Sequence, residues 1–246
     1  MAERKPRPQA VLSVLERRQL NAHTVRVVAG GPGFADYRDN EFTDKYAKLL
    51  FGDVRRTYTV RRADPGRQRL TIDFVVHGDA GIAAPWARTA EPGDRLTLSG
   101  AGGAYQPDPT CDAHVFLGDE SALPAIDAAL EALPATARGY ALLEVSDSTD
   151  ALEAAVPDRV EVRWLHRTGP GTQPDLLART LLDLPWPVGR VDVFAHGERE
   201  SMKAVRAALA QRRSEGDRVS LSGYWAYGRT EDRFQAEKRE PIGQLG

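Results

Sequence analysis

Apolar and polar residues alternate in short runs over the first hundred positions, and then the rhythm changes. HTVRVVAGG (23–31), YAKLLF (46–51), RRTYTVRR (55–62), RLTIDFVVHG (69–78) and DRLTLSG (94–100) each fit a period of two and are separated by Gly, Pro or Asp. That pattern predicts an antiparallel sheet or small barrel. In RLTIDFVVHG the residues Leu70, Ile72, Phe74 and Val76 fall on one face of a strand. The Gly- and Pro-rich stretch GAGGAYQPDPTCD (100–112) marks a boundary, dividing residues 1–108 from 109–246. Beyond it, HVFLG (114–118), RGYALLEV (138–145), VEVRWLH (160–166), RVDVFAH (190–196) and RVSLSG (218–223) read as apolar strands. Two pairs of them are separated by helical spacing, with Leu123, Ile126, Leu130 and Leu133 on one helix face and Met202, Val205 and Leu209 on another. Strands alternating with helices predict a parallel sheet covered by helices. The crossover between the second and third of these strands is only weakly marked, and the polar tail EDRFQAEKREPIGQLG reads either as a short helix or as disorder.

Composition narrows the functional classes. The 246 residues carry a formal charge of -2, which gives no general electrostatic case for nucleic acid, so affinity for anions has to be local. Arginine supplies nearly all the positive charge. No apolar run approaches the roughly 20 residues needed to span a bilayer, and the amino terminus lacks the apolar core of a signal peptide, so a cytoplasmic protein without a membrane partner is expected. One cysteine, Cys111, precludes an intramolecular disulfide, and the five histidines lack metal-ligand spacing. No bound metal is expected.

Four stretches carry candidate chemistry, each with a plainer alternative. In RRTYTVRR, strand alternation places Arg56, Tyr58 and Val60 on one face, with Arg62 beyond them, and Arg55, Thr57, Thr59 and Arg61 on the other. A guanidinium beside an aromatic ring suits a ligand with an anionic part and a flat part; the alternative is a solvated strand with cross-strand ion pairs. VVHGDAGIAAPWARTAEPGD (75–94) offers a glycine turn and one or two helical turns whose amides suit phosphate; the alternative is an ordinary turn with Trp86 anchoring a core. FLGDESALPAIDAALEAL (116–133) is the first strand-to-helix crossing of the second half, where an open α/β sheet takes a nucleotide. Asp119 and Glu120 would repel a pyrophosphate placed on that helix start; otherwise Asp119 or Ser121 simply caps the helix, with Pro124 in its first turn. SLSGYWAYGRTED (220–232) sets Tyr224, Trp225 and Tyr227 after the last strand, for a planar ligand or for packing.

The order of DKYAKLLF, RRTYTVRR, DFVVHGDAGIAAPWA, PGDRL with GAGGAY, LGDESALPAI, HGERESMKAVR and SGYWAYGR resembles the siderophore-interacting protein family of flavin-dependent ferric-siderophore reductases, whose fold is ferredoxin-NADP reductase-like. The resemblance runs from about residue 10 to about residue 232. It implies an antiparallel Greek-key β-barrel domain for FAD, residues 1–108, followed by a Rossmann-like parallel-sheet α/β domain for NADPH or NADH, residues 109–246. Carried over position by position, Arg56 holds the FAD pyrophosphate, Tyr58 stacks on the isoalloxazine and Thr59 bonds the flavin edge. Asp73, Val75, His77, Gly78, Gly81, Ala83, Ala84 and Trp86 complete the flavin site. Asp119, Glu120 and Ser121 fall near the flavin and the nicotinamide, with Tyr224 and Trp225 closing from the other domain. Lys48 and Arg229 are the contacts for an anionic iron chelate. The chain departs from the family at Ile82, Ala84 and Pro85, where a proline, a serine and an arginine are common, and at Ala226, where an arginine is common.

The reaction so implied moves electrons from NAD(P)H through FAD to a ferric siderophore and releases ferrous iron; the cofactor does the redox chemistry and no side chain acts as acid or base. Reduced ferredoxin is a rival donor, and Arg167 and Arg199 are the candidates to meet a 2′-phosphate. The competing readings are a general NAD(P)H- or ferredoxin-linked flavin oxidoreductase and a non-catalytic siderophore-binding module. A monomer is expected.

Overall fold

A computed structural model describes residues 8–76, 81–146, 148–149, 155–168 and 172–245. The chain divides into two compact units, Met1–Gln106 and Pro107–Gly246.

Unit 1 contains strands β1 (Gln9–Asn21), β2 (Thr24–Gly30), β3 (Tyr46–Phe51), β4 (Val54–Asp64), β5 (Arg69–Val75) and β6 (Arg95–Gly102), with the short helix α1 (Ala83–Thr89). The strands close a barrel in the order β1-β2-β5-β4-β3-β6, every pairing antiparallel. Because β2 pairs with β5 rather than β3, and β6 returns beside β1, the connectivity is Greek-key. The period-two residues build the core: Leu12, Val14, Val25, Val27, Leu49, Leu70, Ile72, Phe74, Leu96 and Leu98 are all buried. β3 and β4 meet through a two-residue turn, since Phe51 pairs with Val54, and Gly52 supplies the positive φ of 61° that such a turn requires.

Unit 2 contains β7 (Ala113–Asp119), α2 (Leu123–Ala132), β8 (Arg138–Val145), β9 (Arg159–His166), α3 (Leu176–Asp183), β10 (Val191–Glu198), α4 (Arg199–Arg212), β11 (Arg218–Trp225) and α5 (Glu231–Glu237). The sheet order is β11-β10-β7-β8-β9, all parallel. The chain runs outward from β7 to β9 and then crosses back to β10, so the order reverses between β7 and β10. Leu177 and Leu181 of α3 pack with Met202, Val205 and Leu209 of α4 against Val115, Leu117, Val193 and Ala195 of the sheet. On the opposite face α2 approaches so closely that a Cβ at Gly118 would lie 2.7 Å from the Cβ of Ala122 and 2.9 Å from Ile126. Glycine at this position is what lets the helix seat.

Two elements go beyond the sequence-based expectations, β1 and α3. Of the two alternatives for the tail, the helical one is taken as α5, followed by a 3-10 turn at Pro241–Gly243. No helix among the described residues is long and apolar enough to cross a membrane.

Candidate functional site

β4 delivers RRTYTVRR to the barrel wall. Arg56 pairs with Leu49 and Tyr58 with Ala47; both partners are fully buried, so Arg56 and Tyr58 lie on the core-facing side, at its margin, and are only partly buried. The Tyr58 ring rests 4.5 Å from Phe74, Phe74 lies 5.6 Å from Trp86, and Trp86 meets Phe51 edge-on at 5.5 Å. An aromatic base therefore fixes Tyr58 and Trp86, which are both partly buried. The anchoring alternative for Trp86 is thus part of its environment. The Arg56 guanidinium donates to the Arg55 carbonyl at 2.8 Å.

Strand alternation misplaces the end of the segment. Val60 pairs with Ile72 and Arg62 with Thr71, leaving Arg61 as an extra residue in a bulge. Past the bulge the phase shifts, and Arg62 no longer shares the face of Tyr58. Arg61, expected as a surface or inter-strand charge, is only 6% exposed; Arg55 and Arg62 are exposed.

Other expected positions distribute around this strand. Thr59 is buried opposite Tyr46, and Lys48 lies opposite Thr57, whose hydroxyl accepts from the Lys48 ammonium. That ammonium also lies 5.7 Å from the centre of the Tyr46 ring. Asp73 pairs across the sheet with Arg26, and both carboxylate oxygens accept from that guanidinium at 2.6 Å. The Asp73 side chain is thus committed to a fork-to-fork ion pair, and the partly buried Val75 follows it on β5. Gly81 adopts a φ of 89°, a region that disfavours side chains. It leads into α1, where Ala83 is buried, Ala84 partly so, and Pro85 removes one amide donor from the first turn. His77 and Gly78 lie outside the described residues.

In unit 2 the carboxyl ends of the strands gather the rest. Asp119 ends β7 at the point where the strand order reverses. One of its oxygens accepts from the Ser121 amide at 2.9 Å and from the Ser121 hydroxyl. The other accepts from the Glu198 amide and from the Trp225 indole Nε1, each at 2.8 Å. Burial pushes the Asp119 pKa up, against the hydrogen bonds from Ser121, Trp225 and the Glu198 amide. The capping alternative is not realised, because α2 begins after Ala122 without a side-chain cap; the Asp119 carboxylate turns instead toward β10 and β11. Pro124 does occupy the first turn. A Cβ at Gly197 would lie 2.9 Å from the same carboxylate oxygen. Glu198 caps α4 through the amides of Glu200 and Ser201, and its other oxygen accepts from the Tyr227 amide at 3.0 Å.

Glu120 enters a second network. It accepts from Ser146 at 2.6 Å and from Arg167, which also donates to Glu144 at 3.3 Å. Burial opposes ionisation of Glu120, but Arg167 and Ser146 hold its pKa below the usual carboxylate range. Burial wins at Glu144, whose pKa rises to about 7 and whose second oxygen has no hydrogen-bond partner among the described residues. Glu144 was missed in the sequence; the only trace of it was a carboxylate inside the apolar run YALLEV. His196 on β10 is buried, its pKa pushed down to about 3 mainly by burial, with Nε2 2.9 Å from the Ser220 hydroxyl and Tyr224 edge-on to its ring at 5.0 Å.

Three further arginines of unit 2 converge on one carboxylate. Arg199 donates to Glu237 at 2.7 Å, Arg229 at 2.8 Å and Arg233 at 2.9 Å. Hydrogen bonds from Arg199, then Arg233 and Arg229, bring the Glu237 pKa down to about 2 against some desolvation. Arg167 and Arg199, expected as 2′-phosphate ligands, thus already neutralise internal carboxylates, and Arg229 ties α5 to the loop after β11. Ala226 is buried.

A closed antiparallel Greek-key barrel followed by a five-stranded parallel sheet is the ferredoxin-NADP reductase-like architecture; a ferredoxin NADP+ reductase from Neisseria gonorrhoeae shares it with a TM-score of 0.62 at 15% identity, over 89% of this chain and 99% of that one, a likeness of fold alone. Within that class, residues 52–105 match the model of the siderophore-interacting FAD-binding domain and residues 111–228 that of the siderophore-interacting protein. A siderophore utilization protein from T. fusca, solved by crystallography, superposes with a TM-score of 0.78 at 37% identity over 93% of this chain and 96% of that one. The ferric vibriobactin reductase ViuB of Vibrio cholerae is 39% identical over 75% of this chain and 69% of its own length. The NADPH-dependent ferric-chelate reductase of Escherichia coli is 27% identical over 87% and 91%. The chain belongs to the siderophore-interacting protein family.

Proposed function

We propose that this protein is a flavin-dependent ferric-siderophore reductase that draws electrons from NAD(P)H and releases ferrous iron. The observation that carries the reading is Tyr58, partly buried and braced on Phe74 two residues from Arg56, inside the segment matched by the siderophore-interacting FAD-binding domain. The residues of unit 1 fit FAD chemically. Tyr58 offers a flat surface to the isoalloxazine, Arg56 a forked cation to the pyrophosphate, and the turn at Gly81 with the amides of Ala83 and Ala84 further donors to phosphate. Thr59 supplies a hydroxyl near the ring edge. Asp73 acts at one remove, since its carboxylate is held by Arg26, and Val75 contributes backbone. When bound, FAD would supply the conversion of a two-electron hydride donor to single-electron delivery to the ferric chelate.

Unit 2 takes the nicotinamide nucleotide at the carboxyl ends of β7 and β10, where an open parallel sheet whose order reverses holds its ligands. Tyr224 and Trp225 give it aromatic surface, and Glu120 and Ser121 line the β7 turn. Lys48 attracts the anionic chelate, with Thr57 aligning its ammonium. Arg229 is the weaker candidate because it already serves Glu237. The NADPH-dependent ferric-chelate reductase and the ferric vibriobactin reductase among the relatives favour this reaction over simple chelate binding. An absorbance spectrum of the purified protein, loaded with FAD if it emerges colourless, tests the reading. Anaerobic NAD(P)H is expected to bleach the flavin band, and a ferric siderophore to restore it with one ferrous iron trapped per electron. Protein that refuses FAD, or flavin that stays oxidised with both nucleotides, overturns it.

A further inference from the structure

The Asp119 carboxylate holds three segments that are distant in sequence. One oxygen faces its own turn, bonded to Ser121; the other receives the Glu198 amide, at the junction of β10 and α4, and the Trp225 indole, at the end of β11. Every strand end at the reversal of the sheet order is thereby referred to one acceptor. Four donors satisfy a carboxylate that is only 4% exposed, and three of them are N–H groups that cannot accept a proton bond in return. These donors direct both oxygens of the carboxylate into the fold and not toward a bound ligand. Gly197 belongs to the same device, because a methyl group there would press on the carboxylate oxygen that receives Trp225.

We infer that Asp119 is a positioning residue that sets the Trp225 indole and the β10–α4 turn for the nicotinamide nucleotide, acting through Trp225 and not by touching the donor. This rests on the assignment of the nucleotide to unit 2 given above. Removing the carboxylate frees the indole to rotate, so the aromatic surface is presented in the right orientation only part of the time. The cost falls on donor binding, while the flavin residues of unit 1 are untouched.

The test uses FAD-loaded, 15N-labelled protein with the variants D119A, D119N, G197A and W225F. The chain has four tryptophans, and the indole N–H signal missing from W225F is that of Trp225. In D119A and G197A this signal is expected to move upfield and exchange faster with solvent, while the signals of Trp86, Trp164 and Trp186 stay in place and report an intact fold. KM for NAD(P)H should rise about tenfold in D119A, the scale of one lost charge-assisted hydrogen bond, with kcat and flavin content little changed. Asn keeps an oxygen to offer Trp225, so D119N should recover part of both effects. An unmoved Trp225 signal in D119A and G197A overturns the inference, as does a moved signal with unchanged KM. If wild-type flavin is not reduced by NAD(P)H at all, the proposed reaction fails, and the indole signal still decides whether Asp119 positions Trp225.

Discussion

Arg55 and Arg56 are neighbours in sequence with opposite prospects. Arg55 is exposed across from Leu50, whereas Arg56 shares the face of Tyr58 and is partly covered. On the proposed reading Arg56, and not Arg55, forks onto the pyrophosphate while a flat ring lies on Tyr58. A charge-assisted pair of this kind contributes about 1.5–3 kcal/mol, so Arg56→Ala should weaken FAD binding by at least about tenfold, and Arg55→Ala by less than about twofold, because exposed charges contribute little. Equilibrium dialysis of apoprotein against FAD distinguishes the two, and equal affinities would remove Arg56 from the phosphate site. The chemistry-bearing pattern of this segment was readable from spacing, because alternation alone pairs Arg56 with Tyr58. The fate of Arg61 was not. A bulge is a property of two paired strands, and nothing within RRTYTVRR says that Thr71 will face two residues. The same limit applies to Asp73, Arg167 and Arg199: each is a polar residue of ordinary appearance whose partner, Arg26, Glu120 or Glu237, sits 38 to 47 positions away.

Among the elements, those with an uninterrupted period were legible and those with a broken one were not. Leu70, Ile72 and Phe74 alternate cleanly and occupy the barrel core. β1 also starts cleanly with Ala10, Leu12 and Val14, but its pairing with β2 shifts between Val14 and Glu16 and again after Gln19, and its second half is polar, which hid a strand of 13 residues. α3 is short, with Leu177, Ala178 and Leu181 buried; eight residues hold too few turns for periodicity to separate a helix from a buried strand. The packing of β7 against α2 hangs on Gly118, whose role shows only once the helix is seen seated on it. Gly118→Ala would drive a methyl group to 2.7 Å from Ala122 and 2.9 Å from Ile126, well inside contact distance. Overpacking of this kind costs about 1–3 kcal/mol. Urea unfolding of the variant should show a lowered midpoint, and because β7 carries Asp119 at its end, the Trp225 indole signal should broaden as well. An unchanged midpoint would mean that α2 is free to move away from the sheet.

At the scale of the whole molecule, two buried groups of unit 2 pull the pH dependence of stability in opposite directions. Glu144 binds its proton more tightly folded than unfolded, its pKa rising from 4.5 to about 7 through burial, with Asp119 and Glu120 adding to the rise and Arg167 opposing it. Between those values the folded state holds more protons, so the Glu144 contribution to stability is fully present below pH 4.5 and is lost as the pH rises through 7. His196 does the reverse: its pKa falls from 6.5 to about 3, so its contribution is present above pH 6.5 and is lost as the pH falls toward 3. Between pH 4.5 and 6.5 these two contributions have opposite slopes and offset each other. Glu144→Gln keeps the shape of the side chain, leaves Arg167 paired with Glu120, and removes one slope. The variant should therefore become more stable relative to the parent as the pH rises from 4.5 to 8, by up to about 3 kcal/mol. Chemical denaturation of both proteins at half-unit pH steps measures the difference directly. A gap that stays constant from pH 4.5 to 8 would show that Glu144 titrates alike in the folded and unfolded chains, and that Arg167 holds both carboxylates ionised beside it.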